Sequence, residues 1–163
     1  MQLTSASPIL YCLAILPCIA LGCAKEDRPE GLPELQPTVV KLVQGDAPLA
    51  NASIRLIPQD SSNRWSTGGT TDENGEATLR THGKYEGAPL GEYKVTVSKI
   101  ESDASNGDVD DPSGAVDNKT YQLVDLAYQS EQKTPAKVSV SADQDPVTTI
   151  DVGAPIKKTL PKL

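Results

Sequence analysis

The sequence predicts an all-β domain, and three observations carry the prediction. Gly, Pro, Thr, Ser and Val are plentiful, Phe is absent and aromatic residues make up 4% of the chain, a balance that suits short strands and many turns better than helices. Leu90 to Ser98, LGEYKVTVS, sets Tyr93, Val95 and Val97 against Lys94, Thr96 and Ser98, the period of a strand with one dry face. Thr71 to Leu79, TDENGEATL, places an Asn-Gly pair before an alternating strand, and Asn-Gly supplies the positive φ angles of a tight hairpin turn. No convincing amphipathic helix follows residue 25.

The remaining elements supply partners. Thr38 to Val43, TVVKLV, is a β-branched strand that ends at the turn Gln44 to Pro48. Ala52 to Pro58, ASIRLIP, is the next strand, with Ile54 and Leu56 opposite Ser53 and Arg55. Gln59 to Thr67 reads as a polar loop carrying the only tryptophan, Trp65. Ile100 to Pro135 has little regular pattern apart from Tyr121 to Tyr128, a short strand or edge segment. Lys137 to Val140 and Val147 to Val152 close the domain around the turn Asp143 to Pro146. The basic tail from Gly153 to Leu163 is expected to fray. At 163 residues the chain suits one domain with a real core.

The N-terminus reads as an address. Ile9 to Gly22, ILYCLAILPCIALG, carries no charge and is shorter than the roughly 20 residues of a spanning helix, as expected of the apolar part of a signal peptide over 1–22. Ala20-Leu21-Gly22-Cys23-Ala24 resembles the lipobox of bacterial lipoproteins, which implies that Cys23 is lipidated and becomes the mature N-terminus. Cys12 and Cys18 would leave with the signal, so Cys23 would be the one cysteine left, which lipidation explains simply. The competing reading is an ordinary signal peptide cut nearby that leaves a free thiol. Residues 24–37, with Pro29, Pro33 and Pro37 among charges, then form a stiff, solvated tether.

From Thr38 to Ser98, and more loosely from Lys137 to Val152, the order of signals resembles the carboxypeptidase regulatory-like domain. The resemblance is carried by Pro48-Leu49-Ala50, by Thr71-Asp72 through Gly75 to Ala77, and by Gly91, Tyr93, Val95 and Val97. It implies a transthyretin-like (prealbumin-like) β-sandwich of about seven strands over 38–152, interrupted by a long acidic loop at about 101–135. Lipobox, tether and one such domain together look like a small lipoprotein type frequent in Planctomycetes.

Function is less legible. A net charge of -7 argues against nucleic acid, which needs clustered Lys and Arg. Glu101 to Asn118 holds six acids and no base. Asp108, Asp110 and Asp111 are the candidate calcium ligands there, but the run lacks the EF-hand register and reads first as a solvated charge run. His82 is a lone loop histidine, too few for zinc. Transthyretin-like hydroxyisourate hydrolases use several histidines and end in Tyr-Arg-Gly-Ser, whereas this chain ends in Leu160-Pro161-Lys162-Leu163. Lys41 or Lys94 would be the lysine of an adhesin-type isopeptide bond, and Asn51 and Asn118 open glycosylation sequons. The expectation is a non-catalytic envelope module without cofactor, lipid-anchored and facing periplasm or exterior, whose partner is an unidentified protein or glycan. The alternative is a calcium- or carbohydrate-binding surface that uses residues 100–128 together with Trp65.

Overall fold

The computed structural model describes residues 28–103 and 119–161. The signal segment, Cys23, the acids Asp108, Asp110 and Asp111, and Asn118 lie outside the described residues. The chain divides into two units, Met1–Glu30 and Gly31–Leu163, and the second holds every element described below. In chain order its strands are β1 (Leu35–Gln36), β2 (Val39–Gln44), β3 (Ala47–Pro48), β4 (Ser53–Pro58), β5 (Thr67–Thr70), β6 (Glu76–Thr78), β7 (Arg80–Thr81), β8 (Tyr85–Glu86), β9 (Ala88–Pro89), β10 (Gly91–Ser98), β11 (Ile100–Asp103), β12 (Lys119–Gln122), β13 (Lys137–Val140), β14 (Val147–Asp151) and β15 (Lys158–Thr159), with one 3-10 turn at Leu126–Gln129.

The fold is all-β, and its two main sheets form a sandwich. The first layer runs β13-β10-β4-β5-β7-β8; the second runs β14-β2-β3, with β6 also paired to β2. Alternation decides which side chains meet. Ile54 and Leu56 of β4, Tyr93, Val95 and Val97 of β10, and Val138 and Val140 of β13 turn inward from one layer; Val40 and Leu42 of β2, Ala77 of β6 and Ile150 of β14 turn inward from the other, and all are buried. A fully buried Val or Leu contributes about 1.5 to 3 kcal/mol, so these facing rows are the main stabilising feature. β2 and β14 run parallel, Val39 opposite Val147 through Val43 opposite Asp151, which ties the first long strand to the last. The 3-10 turn packs beside β10, and Tyr128 within it packs on the core while its hydroxyl donates to the Asp151 carbonyl at 3.2 Å.

Five expectations need correction. The tether expected over 24–37 ends early: Leu35 and Gln36 pair with Pro89 and Ala88, so its last part is docked on the domain. The tail expected to fray from Gly153 returns as β15, paired with Tyr121 and Gln122, and Leu160 N donates to Thr120 O at 2.8 Å. The loop expected over 101–135 contributes β11 and β12, paired with each other. The loop expected over Gln59 to Thr67 ends in a strand: Thr67, with Gly68 to Thr70, which carry no strand signal in the sequence, forms β5 inside the first layer. Its glycines obscure it, because the backbones crowd there. A Cβ on Gly68 would stand 2.5 Å from the Ile54 carbonyl oxygen, and one on Gly69 would stand 3.1 Å from that of Thr78. Glycine inside a strand often marks such an approach.

The fifth correction concerns turn chemistry. At Asp72-Glu73-Asn74-Gly75 only Gly75 has positive φ, at 76°. Gly75 N donates to Asp72 O at 3.0 Å, and the Asp72 carboxylate accepts from Asn74 N and Glu76 N, each at 2.9 Å. This is a four-residue turn closed by a left-handed glycine, not the two-residue hairpin turn that Asn-Gly suggested. The turn with two consecutive positive φ values is His82 (54°) and Gly83 (68°), where Lys84 N donates to Thr81 O at 3.2 Å, the type I′ pattern that joins β7 to β8.

Two outcomes follow from these turns. Gly75→Ala meets both positive φ and the Leu42 carbonyl oxygen at 2.5 Å, whereas Gly45→Ala, at φ 57°, meets nothing within 4 Å. In urea titrations Gly75→Ala should cost more than about 1 kcal/mol and clearly exceed Gly45→Ala. The hydrogen bond from Glu76 N holds the Asp72 carboxyl below its ordinary value, with Asn74 and Lys41 adding to the effect and partial desolvation opposing it. A depressed carboxylate contributes stability above its unfolded pKa and loses it as pH falls through the folded one. Acidification through that window should therefore lower the melting temperature of the parent more than that of Asp72→Asn.

Candidate functional site

The most built-up surface feature is the depression around Trp65. The loop that carries it is folded by its own polar side chains. The Asp60 carboxylate accepts from Ser62 N and Ser62 Oγ, both at 2.8 Å, and these bonds draw its pKa down. Asn63 Oδ1 then accepts from Trp65 N at 3.1 Å, while Asn63 Nδ2 donates to the Tyr93 hydroxyl at 2.9 Å. That hydroxyl in turn donates to the Pro89 carbonyl at 2.7 Å. A tyrosine early in a strand bonding to backbone just upstream is the tyrosine-corner arrangement of Ig-type sandwiches. The sequence leads one to expect the Tyr93 hydroxyl at a wet rim; the structure buries the whole residue and satisfies the oxygen twice. Burial pushes the Tyr93 phenol up, and the bond from Asn63 partly offsets it.

The clamp fixes Trp65 beside an open depression of about 380 Å³ whose described lining includes Pro33, Glu34, Asn63, Trp65, Pro89 and Leu90. The His82 ring meets the indole edge-on, centroids 5.0 Å apart, and the Arg64 guanidinium lies 5.6 Å from its centroid. Leu90 is 53% exposed. An indole with Pro and Leu beside it and carboxylates at the rim gives an apolar platform with polar edges, the mixture that orients a small ligand or a sugar ring. None of the described lining comes from the Ile100 to Tyr128 stretch.

The other candidates are placed apart. His82 sits in its exposed turn against Trp65. Lys41 Nζ pairs with Glu76 Oε1 at 2.9 Å, and Lys94 Nζ donates to the Glu131 carbonyl at 3.2 Å. Asn51 is exposed with φ 54°. The Asp72 carboxylate is committed to its turn. Among the described residues no group of three or more His, Cys, Asp or Glu is placed to hold a metal, and no helix is long and apolar enough to cross a membrane. The feature that sequence reasoning missed is the Asn63–Tyr93–Pro89 chain. Its signal was present in Pro89-Leu90-Gly91-Glu92-Tyr93, a tyrosine following a glycine by two positions and a proline by four.

Comparison of the chain with protein-family models, with characterised proteins and with solved structures returned no match. The fold therefore stands on its own geometry.

Because Trp65 is the only tryptophan, its emission reports directly on the clamp. Tyr93→Phe leaves the Asn63 amide and the Pro89 carbonyl without the hydroxyl, which should cost about 1 to 3 kcal/mol in denaturant titration. The native-state emission should also move toward that of solvated indole. An unchanged spectrum would mean that Trp65 is held by other contacts.

Proposed function

We propose that this protein is a non-catalytic module of the bacterial cell envelope, anchored by lipid on Cys23, whose β-sandwich presents the Trp65 surface to a protein or glycan. The observation that carries the binding role is the clamp. Three groups in series, Asn63, Tyr93 and Pro89, hold an exposed-edge aromatic loop in one geometry. A surface ordered before binding loses less entropy on contact. The anchoring role rests on the uncharged Ile9 to Gly22 run ending at Cys23. The family assignment, a carboxypeptidase regulatory-like, transthyretin-like domain, draws support from where its signature pieces fall. Thr71 to Ala77 is the crossing between layers, and Gly91 to Val97 lies in β10, between β13 and β4.

The non-catalytic reading is supported by how the reactive side chains are used: His82 packs edge-on against Trp65, and Asp60 and Asp72 are occupied by backbone and hydroxyl donors. A carbohydrate-binding surface is the second reading, and the specific observation in its favour is the indole beside a depression with both apolar and acidic walls.

Mass spectrometry of the mature N-terminus tests the anchor. Cells expressing the full chain should yield an N-terminal Cys23 carrying diacylglycerol, and globomycin should cause the unprocessed precursor to accumulate. An unmodified Cys23 thiol, or processing insensitive to globomycin, overturns the anchor.

A further inference from the structure

The outer face of the first layer holds a second feature, assembled from strands far apart in sequence. The ladder places Thr96 of β10, Arg55 of β4, Gly68 of β5 and Arg80 of β7 in one row. Arg55 lies between buried Ile54 and Leu56, and Arg80 between buried Leu79 and Thr81, so both arginines turn outward and are exposed. Between them stands a residue with no side chain. Two strand spacings put the two Cα atoms about 9.5 Å apart, with bare Gly68 backbone as the floor. The gap continues on either side as two adjoining depressions of about 410 and 450 Å³, with Ser53 and Thr70 supplying hydroxyls at the rim.

Charge in this furrow is incompletely used. The Arg80 side chain has no hydrogen-bond or ion-pair partner among the described residues, although Glu86 of β8 is the next residue in the same row, exposed on the same face. Arg55 is held by Glu131 at 3.1 Å, an ion pair whose side chains are 65% and 45% exposed. Such pairs hold weakly against water or a competing anion. Asp72 and Glu76 mark the acidic end of the furrow, so the anionic group belongs at the Arg55–Gly68–Arg80 row and not along the whole length.

From this geometry we infer that the furrow binds an acidic polysaccharide through its carboxylate or sulfate groups, seated on Gly68 between the Arg55 and Arg80 guanidinium groups. Guanidinium groups bind such oxyanions in bidentate fashion, and the hydroxyl rim matches sugar hydroxyls. A peptide has less to use, because β5 is paired at Gly68 with β4 on one side and β7 on the other, leaving no backbone edge there for strand addition. The inference rests on the reading of the domain as a binding module and names the chemistry of its partner. It is independent of the anchor.

Calorimetric titration of the exported, detergent-purified protein tests it, with oligogalacturonate, low-mass dextran sulfate, neutral dextran and poly-glutamate as probes. Saturable, salt-sensitive binding of one or both acidic glycans is expected, and the arm that binds identifies carboxylate or sulfate as the preferred group. Arg80→Ala and Arg55→Ala should each weaken binding about tenfold, the scale of one charge-assisted contact. Arg80→Lys should weaken it less, and Lys137→Ala, outside the row, should leave it unchanged. Equal melting temperatures of these surface variants would confirm intact folding. Absence of saturable binding, equal binding of neutral dextran or poly-glutamate, or indifference to both Arg55→Ala and Arg80→Ala overturns the inference. The N-terminal mass, read on the same preparation, decides the anchor separately.

Discussion

The structure depends on how the chain changes layers. β5 belongs to the first sheet, β6 to the second and β7 to the first again, so backbone must pass through the interior twice within a short stretch. Buried N–H and C=O groups there need partners, and Thr71 supplies them. Its hydroxyl donates to Leu49 O at 2.6 Å and accepts from Ala52 N at 2.9 Å, while its own N–H and C=O exchange bonds with Ala52 and Asn51. Four residues later Gly75 O accepts from Leu42 N at 2.7 Å. That contact brings Gly75 so close to β2 that a Cβ would collide with it. The polar accounting and the glycine requirement are one constraint seen from two sides.

The same constraint explains what the sequence could reveal. β2, β4, β10 and β13 carry buried residues at every second position of their inward runs, so their periodicity announces them, while β14 buries Ile150 alone. β5 has no such pattern, because a glycine pair has no side chains to alternate; its identity is fixed by Ile54 and Thr78, residues that sequence order places elsewhere. The docked ends were hidden for a related reason. Leu35-Gln36 and Lys158-Thr159 have partially buried or exposed side chains and join the fold through short backbone ladders, which leave little mark in hydropathy. Asn74-Gly75 was recognised as a turn, but its type was decided by the Asp72 carboxylate, which caps two N–H groups and leaves Asn74 in an ordinary conformation.

Site and core are joined through Tyr93. Its ring fills the interior between the layers, and its hydroxyl carries the chain that begins at the Trp65 amide on to the Pro89 carbonyl. The loop therefore borrows order from an interior strand of the first layer, β10, which lies between β13 and β4. Trp65 alone was visible as a candidate; the residues that make it rigid are a strand tyrosine and a loop asparagine that no local motif connects. Three-dimensional placement also separated what the sequence grouped, since the described lining of the depression joins the Trp65 loop to the docked end of the tether and to Pro89 and Leu90.

The β7–β8 turn stands between the two surface features. His82 N donates to Ser66 O at 2.8 Å, and the imidazole meets Trp65, so one side of the turn braces the tryptophan. Gly83, the next residue, borders both depressions of the arginine furrow. A type I′ turn has little freedom, because both central residues are held in the left-handed region. Thr81 fixes its root, with a buried hydroxyl bonded to Thr67 and to the Gly87 carbonyl. A displacement of the turn would move both the ring that braces Trp65 and the Gly83 border of the furrow. Two features that are separate on the surface thus touch one turn, through the Trp65–His82 contact on one side and Gly83 on the other, and the lone histidine of the chain is part of it.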